Sequence, residues 1–256
     1  MAAVGNSSSN VTYLLFARHG KQEHIPGAIC GGDLDPSLHA DGKKEAERLG
    51  VYLVDKHPDI SPTIYSSEMK RANETAEGAV EKCKVAFPER EFQIVTKPGL
   101  EEIHHSWTEG IQGSARNKIW EAFIDEAKKT GDLAPDFLWN TTPFQMVGVK
   151  DPETYSSLWN RVSLACLEIA KDHPGEKVVV VAHNAVIQVL KMNSELKQGN
   201  PPLRSDGLYK MFFHSELLKN CDTFVFAVDP SVQDQIRFVP DPSKEEGFAN
   251  RMQSQL

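Results

Sequence analysis

The chain has 256 residues, of which 40% are hydrophobic and 25% are charged, a composition typical of a globular protein that buries a full core. Its net charge of -8 argues against a general nucleic-acid-binding or anionic-membrane-binding surface, because both need a basic face. An anion bound by this protein would therefore be a small molecule or one phosphorylated side chain, held by a local cluster of cations.

The four cysteines indicate a reducing compartment, since none of them forms a Cys-x-x-Cys pair. The first ten residues lack the basic start and apolar run of a secretory signal, and no apolar stretch approaches membrane-spanning length. We therefore expect a cytoplasmic protein whose N-terminal end, residues 1–10, is disordered.

The first predicted element is a strand over residues 13–18, an apolar run that ends abruptly at Arg18-His19-Gly20. Charged or chargeable side chains at the end of a buried strand are costly unless something compensates them, and a bound anion would do so. The pattern then predicts a helix over 41–56, a short strand over 63–67, a helix over 68–84 and a third strand over 92–100.

The second half of the chain begins with a less regular region, about 101–151, that contains one helical piece over 119–129. A long helix is predicted between Pro152 and Gly175, followed by an apolar strand over 177–183 and a helix over 185–196. Two late strands, over 222–229 and 235–241, are consistent with a hairpin. Strands that alternate with helices predict a layered α/β fold with a mostly parallel central sheet.

Two of the predicted strands end alike, one at Arg18-His19 and the other at His183. Ligands of open α/β sheets bind outside the carboxyl ends of the strands, so the two histidines have a common meeting place. A third strand ends shortly before Arg71, which brings another cation to the same edge. The pattern therefore predicts an anion site at this edge of the sheet.

The chemistry that fits these residues is phosphoryl transfer. A neutral imidazole such as that of His19 is a good nucleophile toward phosphorus, and arginines such as Arg18 and Arg71 donate paired hydrogen bonds to phosphate oxygens. The leaving oxygen needs a proton, for which Glu101 and Glu102 are the candidates. No metal-ligand spacing is present, so we expect neither a metal nor another cofactor.

Four sequence blocks resemble the histidine phosphatase superfamily, also called phosphoglycerate-mutase-like. "FARHGKQEH" matches its Arg-His-Gly signature, and "DLDPSLHADGKKEAERLG" is similar to its D-x-P-L-T-x-x-G-x-x-Q-A segment. "IYSSEMKRANETAE" is similar to its YSS-x-x-x-R-A-x-x-T-A segment, and "VVVVAHNAVIQVL" to its V-x-H-G-G-V-I segment. The blocks occur in order between residues 13 and 190.

The resemblance implies a three-layer α/β/α fold and a phosphohistidine mechanism. By position it implies that His19 is the nucleophile, that Glu102 is the proton donor, and that phosphate is held by Arg18, Arg71 and His183. It also places Gln22 and Asn184 among the substrate-binding positions. We expect one catalytic domain over 11–240, with a variable lid insertion at about 101–151 and a loose tail over 241–256.

This chain departs from the family pattern at several positions. Gln22 stands where Thr or Ser is usual, Ile25 where Asn is usual, His39 where Thr is usual and Ser106 where Gly is usual. Mutase members carry an Arg and a Tyr soon after the catalytic Glu, whereas Ile103-His104-His105 follows here, which favours a phosphatase. Sugar-bisphosphatase members place further basic residues in the pocket, for which this chain offers Arg116, Lys118 and Lys150.

We therefore expect hydrolysis of small phosphate monoesters, such as sugar phosphates or related metabolites. A phosphoglycerate-type mutase and a weakly catalytic protein that binds a phosphorylated ligand are the alternatives. The expected partner is a small phosphorylated metabolite, with no nucleic acid and no membrane. The oligomeric state stays open, a homodimer included.

Overall fold

The computed structural model describes residues 10–28, 30–130, 140–197, 218–232, 236–239 and 241. Apart from residues 10 and 241, the predicted disordered end and the predicted tail lie outside the described residues. The strands are β1 (Thr12–Arg18), β2 (Thr63–Ser66), β3 (Gln93–Thr96), β4 (Lys177–Ala182), β5 (Thr223–Val228) and β6 (Ile236–Val239). The helices are α1 (Ala40–Lys56), α2 (Lys70–Ala86), α3 (Gly113–Thr130), α4 (Tyr155–Asp172) and α5 (Asn184–Lys197).

The strands form one six-stranded sheet in the order β3-β2-β4-β1-β5-β6. β3, β2, β4 and β1 are parallel to one another, whereas β5 runs antiparallel to β1 and β6 antiparallel to β5. This arrangement confirms the predicted mostly parallel sheet. β1 and β4 are central strands with neighbours on both sides, which agrees with their uninterrupted apolar sequences.

Helices cover both faces of the sheet and create two hydrophobic cores. In β1, Leu14 and Phe16 face one core and Leu15 and Ala17 face the other, because successive side chains of a strand point to opposite faces. The first core is closed by residues of α4 and α5, and the second by residues of α1 and α2. The three-layer α/β/α arrangement is therefore confirmed.

Two predicted helix starts were wrong. α4 begins at Tyr155 rather than at Pro152, because Thr154 and Ser157 form a reciprocal cap: Ser157 N donates to Thr154 Oγ1 at 3.2 Å and Thr154 N to Ser157 Oγ at 2.9 Å. α3 begins at Gly113, well before the predicted residue 119. Its first turn is polar and shows no apolar periodicity, so the sequence pattern did not reveal it. β3 ends at Thr96, earlier than predicted, before the turn at Pro98-Gly99.

The predicted insertion, about 101–151, packs onto the core that also contains α4. It supplies Trp120 and Phe123 of α3 and Phe144 of a short 3-10 helix, Pro143–Val147. The rings of Trp120 and Phe144 meet edge to face at a centroid distance of 6.0 Å. Residues 131–139 of this segment lie outside the described residues, and its role as a lid stays a prediction.

Candidate active site

The ends of the two central strands bring His19 and His183 together. Arg18 of β1 lies opposite Ala182 of β4, and His19 N donates to Ala182 O at 3.0 Å. The two imidazole rings are consequently close, with centroids 5.1 Å apart. Ser67, directly after β2, joins the same edge through a 3.0 Å bond from its N–H to Val181 O.

Gly20 is required because the loop after β1 touches the start of α1 through its backbone. A Cβ atom at Gly20 would lie 2.6 Å from Gly42 O, and one at Gly42 would lie 2.0 Å from Lys21 O. Gly20 N also donates to Thr75 Oγ1 at 2.9 Å, and Thr75 Oγ1 donates to Arg71 O at 2.6 Å. The Arg-His-Gly sequence is therefore a junction between a strand end and two helices.

His19 is held as a neutral imidazole with a free lone pair. Its Nδ1 lies 2.7 Å from Gly20 O, and because a carbonyl oxygen only accepts, Nδ1 carries the hydrogen and Nε2 the lone pair. Burial, followed by the charges of Arg71 and Arg18, lowers the pKa of His19 well below its usual value. An unprotonated Nε2 is the form of imidazole that can act as a nucleophile.

His183 is fully buried and can donate from its other ring nitrogen. Its Nε2 lies 2.9 Å from Ser67 Oγ, and its Nδ1 has no hydrogen-bond partner in the described part of the chain. Burial, and then the charge of Arg71, lowers the pKa of His183 well below its usual value. A hydroxyl hydrogen donated by Ser67 to Nε2 would leave the hydrogen of His183 on Nδ1.

Arg71 is a buried cation whose outer edge is held by a loop. Only 1% of its surface is exposed, and it donates from Nη2 to Gly31 O and from Nη1 to Leu34 O, both at 2.9 Å. Asp35 Oδ1 lies 3.6 Å from Nη1. Burial lowers the pKa of Arg71, against the opposing charge of Glu102. Its Nε is buried and has no partner among the described residues.

The loop that holds Arg71 is itself bound to Glu109. This buried carboxylate accepts hydrogen bonds from Gly31 N at 2.8 Å, Leu34 N at 2.9 Å and Asp33 N at 3.1 Å. It also accepts from His105 N at 3.2 Å. Burial raises the pKa of Glu109, and the backbone donors oppose that effect. Glu109 therefore fixes the loop whose Gly31 and Leu34 carbonyls orient Arg71.

Arg18 and Asn184 converge on Leu218, beyond α5. Arg18 Nη1 donates to Leu218 O, and Leu218 N donates to Asn184 Oδ1 at 3.4 Å. Arg18 Nε is buried without a partner in the described ranges, and burial lowers the pKa of this arginine. Gln22, the remaining predicted binding residue, interacts with the Cys30 thiol, whose pKa burial raises and this interaction lowers.

Glu102, and not Glu101, lies beside His183. Glu102 is 8% exposed, and its Oε1 accepts from Ile103 N at 2.9 Å and from Ala185 N, in the first turn of α5, at 3.1 Å. The Glu101 carboxylate instead accepts from Gly99 N at 2.9 Å and lies 3.5 Å from Arg161 Nη1. Of the two candidate proton donors, only Glu102 thus reaches the end of β4.

Two positions that depart from the family pattern have a structural explanation. His39 caps α1, since its Nδ1 accepts from Asp41 N at 3.1 Å, as a threonine hydroxyl would. Ser106 has a φ of 56°, in the left-handed region that glycine tolerates best, and its N–H donates to Asp33 Oδ2 at 2.7 Å.

Sequence reasoning did not single out Ser67, Thr75, Glu109 or Arg161. Ser67 and Thr75 lie inside the quoted "IYSSEMKRANETAE" block, so the resemblance of that block to the family could have identified them as site residues. Arg161, whose Nη2 donates to Glu102 O at 3.1 Å, gave no signal, because it stands on an ordinary amphipathic helix.

The described residues contain no group of three or more His, Cys, Asp or Glu side chains that could hold a metal ion. Among the same residues, no helix is both long enough and apolar enough to cross a membrane. The expectation that no cofactor is needed stays a prediction.

Comparison with known proteins identifies relatives over most of the chain. A phosphoglycerate mutase-like protein 4 from Arabidopsis thaliana is 31% identical over 185 residues, which are 72% of this chain and 72% of that protein. A metal-independent phosphoserine phosphatase from the same plant is 27% identical, over 71% of this chain and 68% of its own. A phosphoserine phosphatase of Entamoeba histolytica, solved with 3-phosphoglyceric acid, superposes with a TM-score of 0.57 at 19% identity, covering 90% and 98% of the two chains.

The model of the histidine phosphatase superfamily (branch 1) matches residues 14–198. This range includes β4, most of β1 and the predicted site residues Arg18, His19, Arg71, Glu102 and His183. The chain therefore belongs to the histidine phosphatase superfamily.

Proposed function

We propose that this protein is a phosphatase that hydrolyses small phosphate monoesters through a phosphohistidine at His19. One observation carries the proposal: beside an imidazole with a free Nε2, three buried donor atoms have no partner among the described residues. They are Arg18 Nε, Arg71 Nε and His183 Nδ1. A transferring phosphoryl group has three equatorial oxygens that need such donors.

In the first step, His19 Nε2 attacks phosphorus and forms an N–P bond while the bond from phosphorus to the ester oxygen breaks. The electron pair of that bond stays on the leaving oxygen, which takes a proton from Glu102 in its protonated form. Arg18, Arg71 and His183 stabilise the charge on the phosphoryl oxygens. These donors are in place before the substrate arrives, so little reorganisation is needed during the reaction.

In the second step, water attacks phosphorus and the N–P bond breaks, which returns the electron pair to His19 Nε2. The Glu102 carboxylate takes the proton that the water loses. Inorganic phosphate leaves, and both residues regain their starting protonation states. The protein needs no metal for either step, as the name of the metal-independent phosphoserine phosphatase relative states for that protein.

The expected partner is a small phosphorylated metabolite in the cytoplasm. The relatives support this class of ligand, because two of them are named for phosphoserine or were solved with 3-phosphoglyceric acid. A mutase and a weakly catalytic binding protein remain the alternatives, and the following experiment separates them.

The test is phosphate release and intact-protein mass with a panel of phosphoesters in the presence of EDTA. We expect the parent to release phosphate and to show a phosphoryl adduct after rapid quench at neutral pH, and His19→Ala to show neither. His173→Gln is the matched control, because this histidine caps the end of α4 and contacts Tyr65 and Glu176 instead. It should retain the adduct.

Turnover that survives His19→Ala would exclude the phosphohistidine mechanism. An isomerised phosphoester without net phosphate release would favour the mutase. Tight binding of a phosphoester with negligible turnover in the parent would favour the binding protein.

A further inference from the structure

Arg161, in α4, holds the stretch of chain that carries Glu102. Its Nη1 donates to Gly99 O at 3.0 Å and to Glu101 O at 2.7 Å, and its Nη2 donates to Glu102 O at 3.1 Å. A guanidinium presents its N–H donors in one rigid plane, so these bonds fix the peptide groups relative to one another. One side chain of α4 thus orients the backbone on which Glu102 stands.

Glu153 holds the other edge of the same guanidinium. Arg161 Nε donates to Glu153 Oε1 at 2.7 Å and Nη2 donates to Glu153 Oε2 at 3.0 Å, which makes a bidentate ion pair. Glu153 Oε2 also accepts from His104 N at 2.8 Å. The pair therefore grips the chain on both sides of Glu102, by carbonyls before it and by an N–H group after it.

The Glu102 carboxylate depends on this grip because its two backbone donors belong to different elements. It accepts from Ile103 N at 2.9 Å, in the gripped stretch, and from Ala185 N at 3.1 Å, in α5. Both bonds persist only while the stretch keeps its place relative to α5. A general acid must lie within hydrogen-bond reach of the atom that it protonates, and a displacement of about 1 Å can cost about 100-fold in rate.

We propose that Arg161 and Glu153 are positioning residues for the proton donor, which hold residues 99–104 so that the Glu102 carboxylate meets the leaving oxygen. This inference rests on the proposed function and adds to its first step. The carboxyl group reacts, whereas the ion pair acts only through it. Loss of the pair should therefore slow the proton transfer and leave the phosphate donors Arg18 and His183 in place.

The test compares esters whose leaving groups need a proton to different degrees. Phenolate leaves slowly unless it is protonated, whereas 2,4-dinitrophenolate is stable enough to leave as the anion. The value of kcat/KM reports the first step, in which Glu102 donates its proton. The ratio of kcat/KM for 2,4-dinitrophenyl phosphate to that for phenyl phosphate therefore measures proton donation, since a change at the phosphate donors lowers both values alike.

Arg161→Met should lower kcat/KM for phenyl phosphate by about 10- to 100-fold. The value for 2,4-dinitrophenyl phosphate should stay within about threefold of the parent, because a group that leaves as an anion gains little from a general acid. Arg161→Lys should retain part of the phenyl phosphate activity, since an ammonium group keeps the charge beside Glu153 but cannot hold several carbonyls in one plane.

Two further variants link the pair to the proton donor. Glu102→Gln, which removes the proton itself, should raise the ratio most. Glu153→Gln should raise it less, and the double variant of Arg161→Met and Glu153→Gln should lose less than the sum of the two single losses, because both residues act on one stretch of chain.

Arg90→Met is the matched control. Arg90 likewise donates to backbone carbonyls, to Pro58 O at 2.9 Å and to Ile60 O. Ile60 pairs with Lys177, the first residue of β4, so this clamp lies at the opposite end of the strand from the site. Arg90→Met should leave the ratio unchanged.

An equal loss for both esters in Arg161→Met would overturn the inference, and so would an unchanged ratio. Both esters are measured on one preparation, so an unfolded fraction lowers both values alike and leaves the ratio intact. If Arg161→Met does not fold, the ratios in Arg161→Lys and Glu153→Gln decide in the same way. A ratio that changes equally in Arg90→Met would also overturn the inference.

Failure of this inference and failure of the proposed function look different. If the parent forms the His19 adduct but the ratio does not respond to Arg161→Met, the phosphohistidine mechanism holds and the positioning role does not. If the ratio does not respond to Glu102→Gln either, Glu102 is not the proton donor and the inference fails. If no ester forms an adduct or releases phosphate, the proposed function fails, and the inference fails with it.

Discussion

Arg71 and Arg116 are both buried, but their surroundings differ. Arg71 donates to two loop carbonyls at 2.9 Å, and that loop is fixed by the Glu109 carboxylate. Arg116 instead packs against the face of Phe144 and lies within reach of the charges of Glu109 and Glu102. Arg71 is thus oriented by direct hydrogen bonds to a fixed loop, whereas the guanidinium of Arg116 packs on an aromatic ring. The comparison shows that two arginines of similar burial can differ in how firmly their donor atoms are oriented, which is the property that preorganised stabilisation of charge requires.

The largest expected effect follows from removing the preorganised cation. Arg71→Met should lower kcat by about 100- to 1,000-fold, the usual cost of one donor to transition-state charge. Arg71→Lys should rescue little, because an ammonium group cannot donate to Gly31 O and Leu34 O and to phosphate in one plane. Steady-state kinetics with a phosphate monoester of an uncharged alcohol measures kcat for both variants. A smaller loss than in Arg116→Met would contradict the comparison.

Glu109→Gln should have an intermediate effect, because Glu109 is a positioning residue. Glutamine keeps one acceptor oxygen but presents an NH₂ group to backbone donors, so the loop shifts and Arg71 loses its orientation. We expect kcat to fall by about tenfold, the equivalent of one hydrogen bond of moderate strength.

The preference between esters that differ by one carboxylate distinguishes this positioning role from an effect on Arg116. The kcat/KM ratio between phosphoserine and phosphoethanolamine should stay constant in Glu109→Gln, since Glu109 is hydrogen-bonded to the loop at Arg71, whereas on Arg116 only its charge acts. Glu121→Gln, an exposed change on α3, serves as the control for a lost carboxylate. A changed ratio in Glu109→Gln would mean that the two regions are not independent.

The smallest expected effect for a single residue is the contribution of each buried histidine to a dependence of stability on pH. Burial lowers the pKa of His19, His183 and His105 in the folded state, so the unfolded chain binds more protons just below its ordinary histidine pKa. The free energy of unfolding should therefore be flat above about pH 7 and fall as the pH drops below about 6.5. Three such groups together predict a loss of about 2 kcal/mol between pH 8 and pH 6.

Urea unfolding across this pH range measures the loss. His183→Gln and His105→Gln should each flatten the curve by a similar amount, because each removes one buried histidine whose pKa is lowered. A stability that does not change between pH 8 and pH 5.5 would show that the pKa values of these histidines are not lowered in the folded protein.

The location of the site was predictable because it follows from the strands. Buried apolar runs that end in Arg18-His19 and His183 are parallel neighbours, so their ends must share an edge. The orientation of side chains in the insertion was harder to predict from the sequence. A basic residue on a helix usually faces solvent, and the sequence offers Arg116 and Lys118 on equal terms. Only packing against Phe144 distinguishes them.

The choice between Glu101 and Glu102 also depended on tertiary contacts. The residues are adjacent and chemically alike, so local sequence cannot tell which carboxylate meets α5 and which meets Arg161. Family resemblance favoured Glu102, and the geometry places that carboxylate at the end of β4. The predicted start of α4 was wrong for the opposite reason. Thr154 and Ser157, which form the reciprocal cap, are local in the sequence, but the capping pattern was not recognised.

The first turn of α5 ties two reacting groups to one rigid element. His183 directly precedes this helix, and the N–H of Ala185 binds Glu102. Displacements of the helix start should therefore move His183, the proposed hydrogen-bond donor to phosphate, and Glu102, the proposed proton donor, together. Consequently, a substitution on the buried face of α5, away from the site, should alter the rate of the proposed proton donation more than the affinity for a phosphoester.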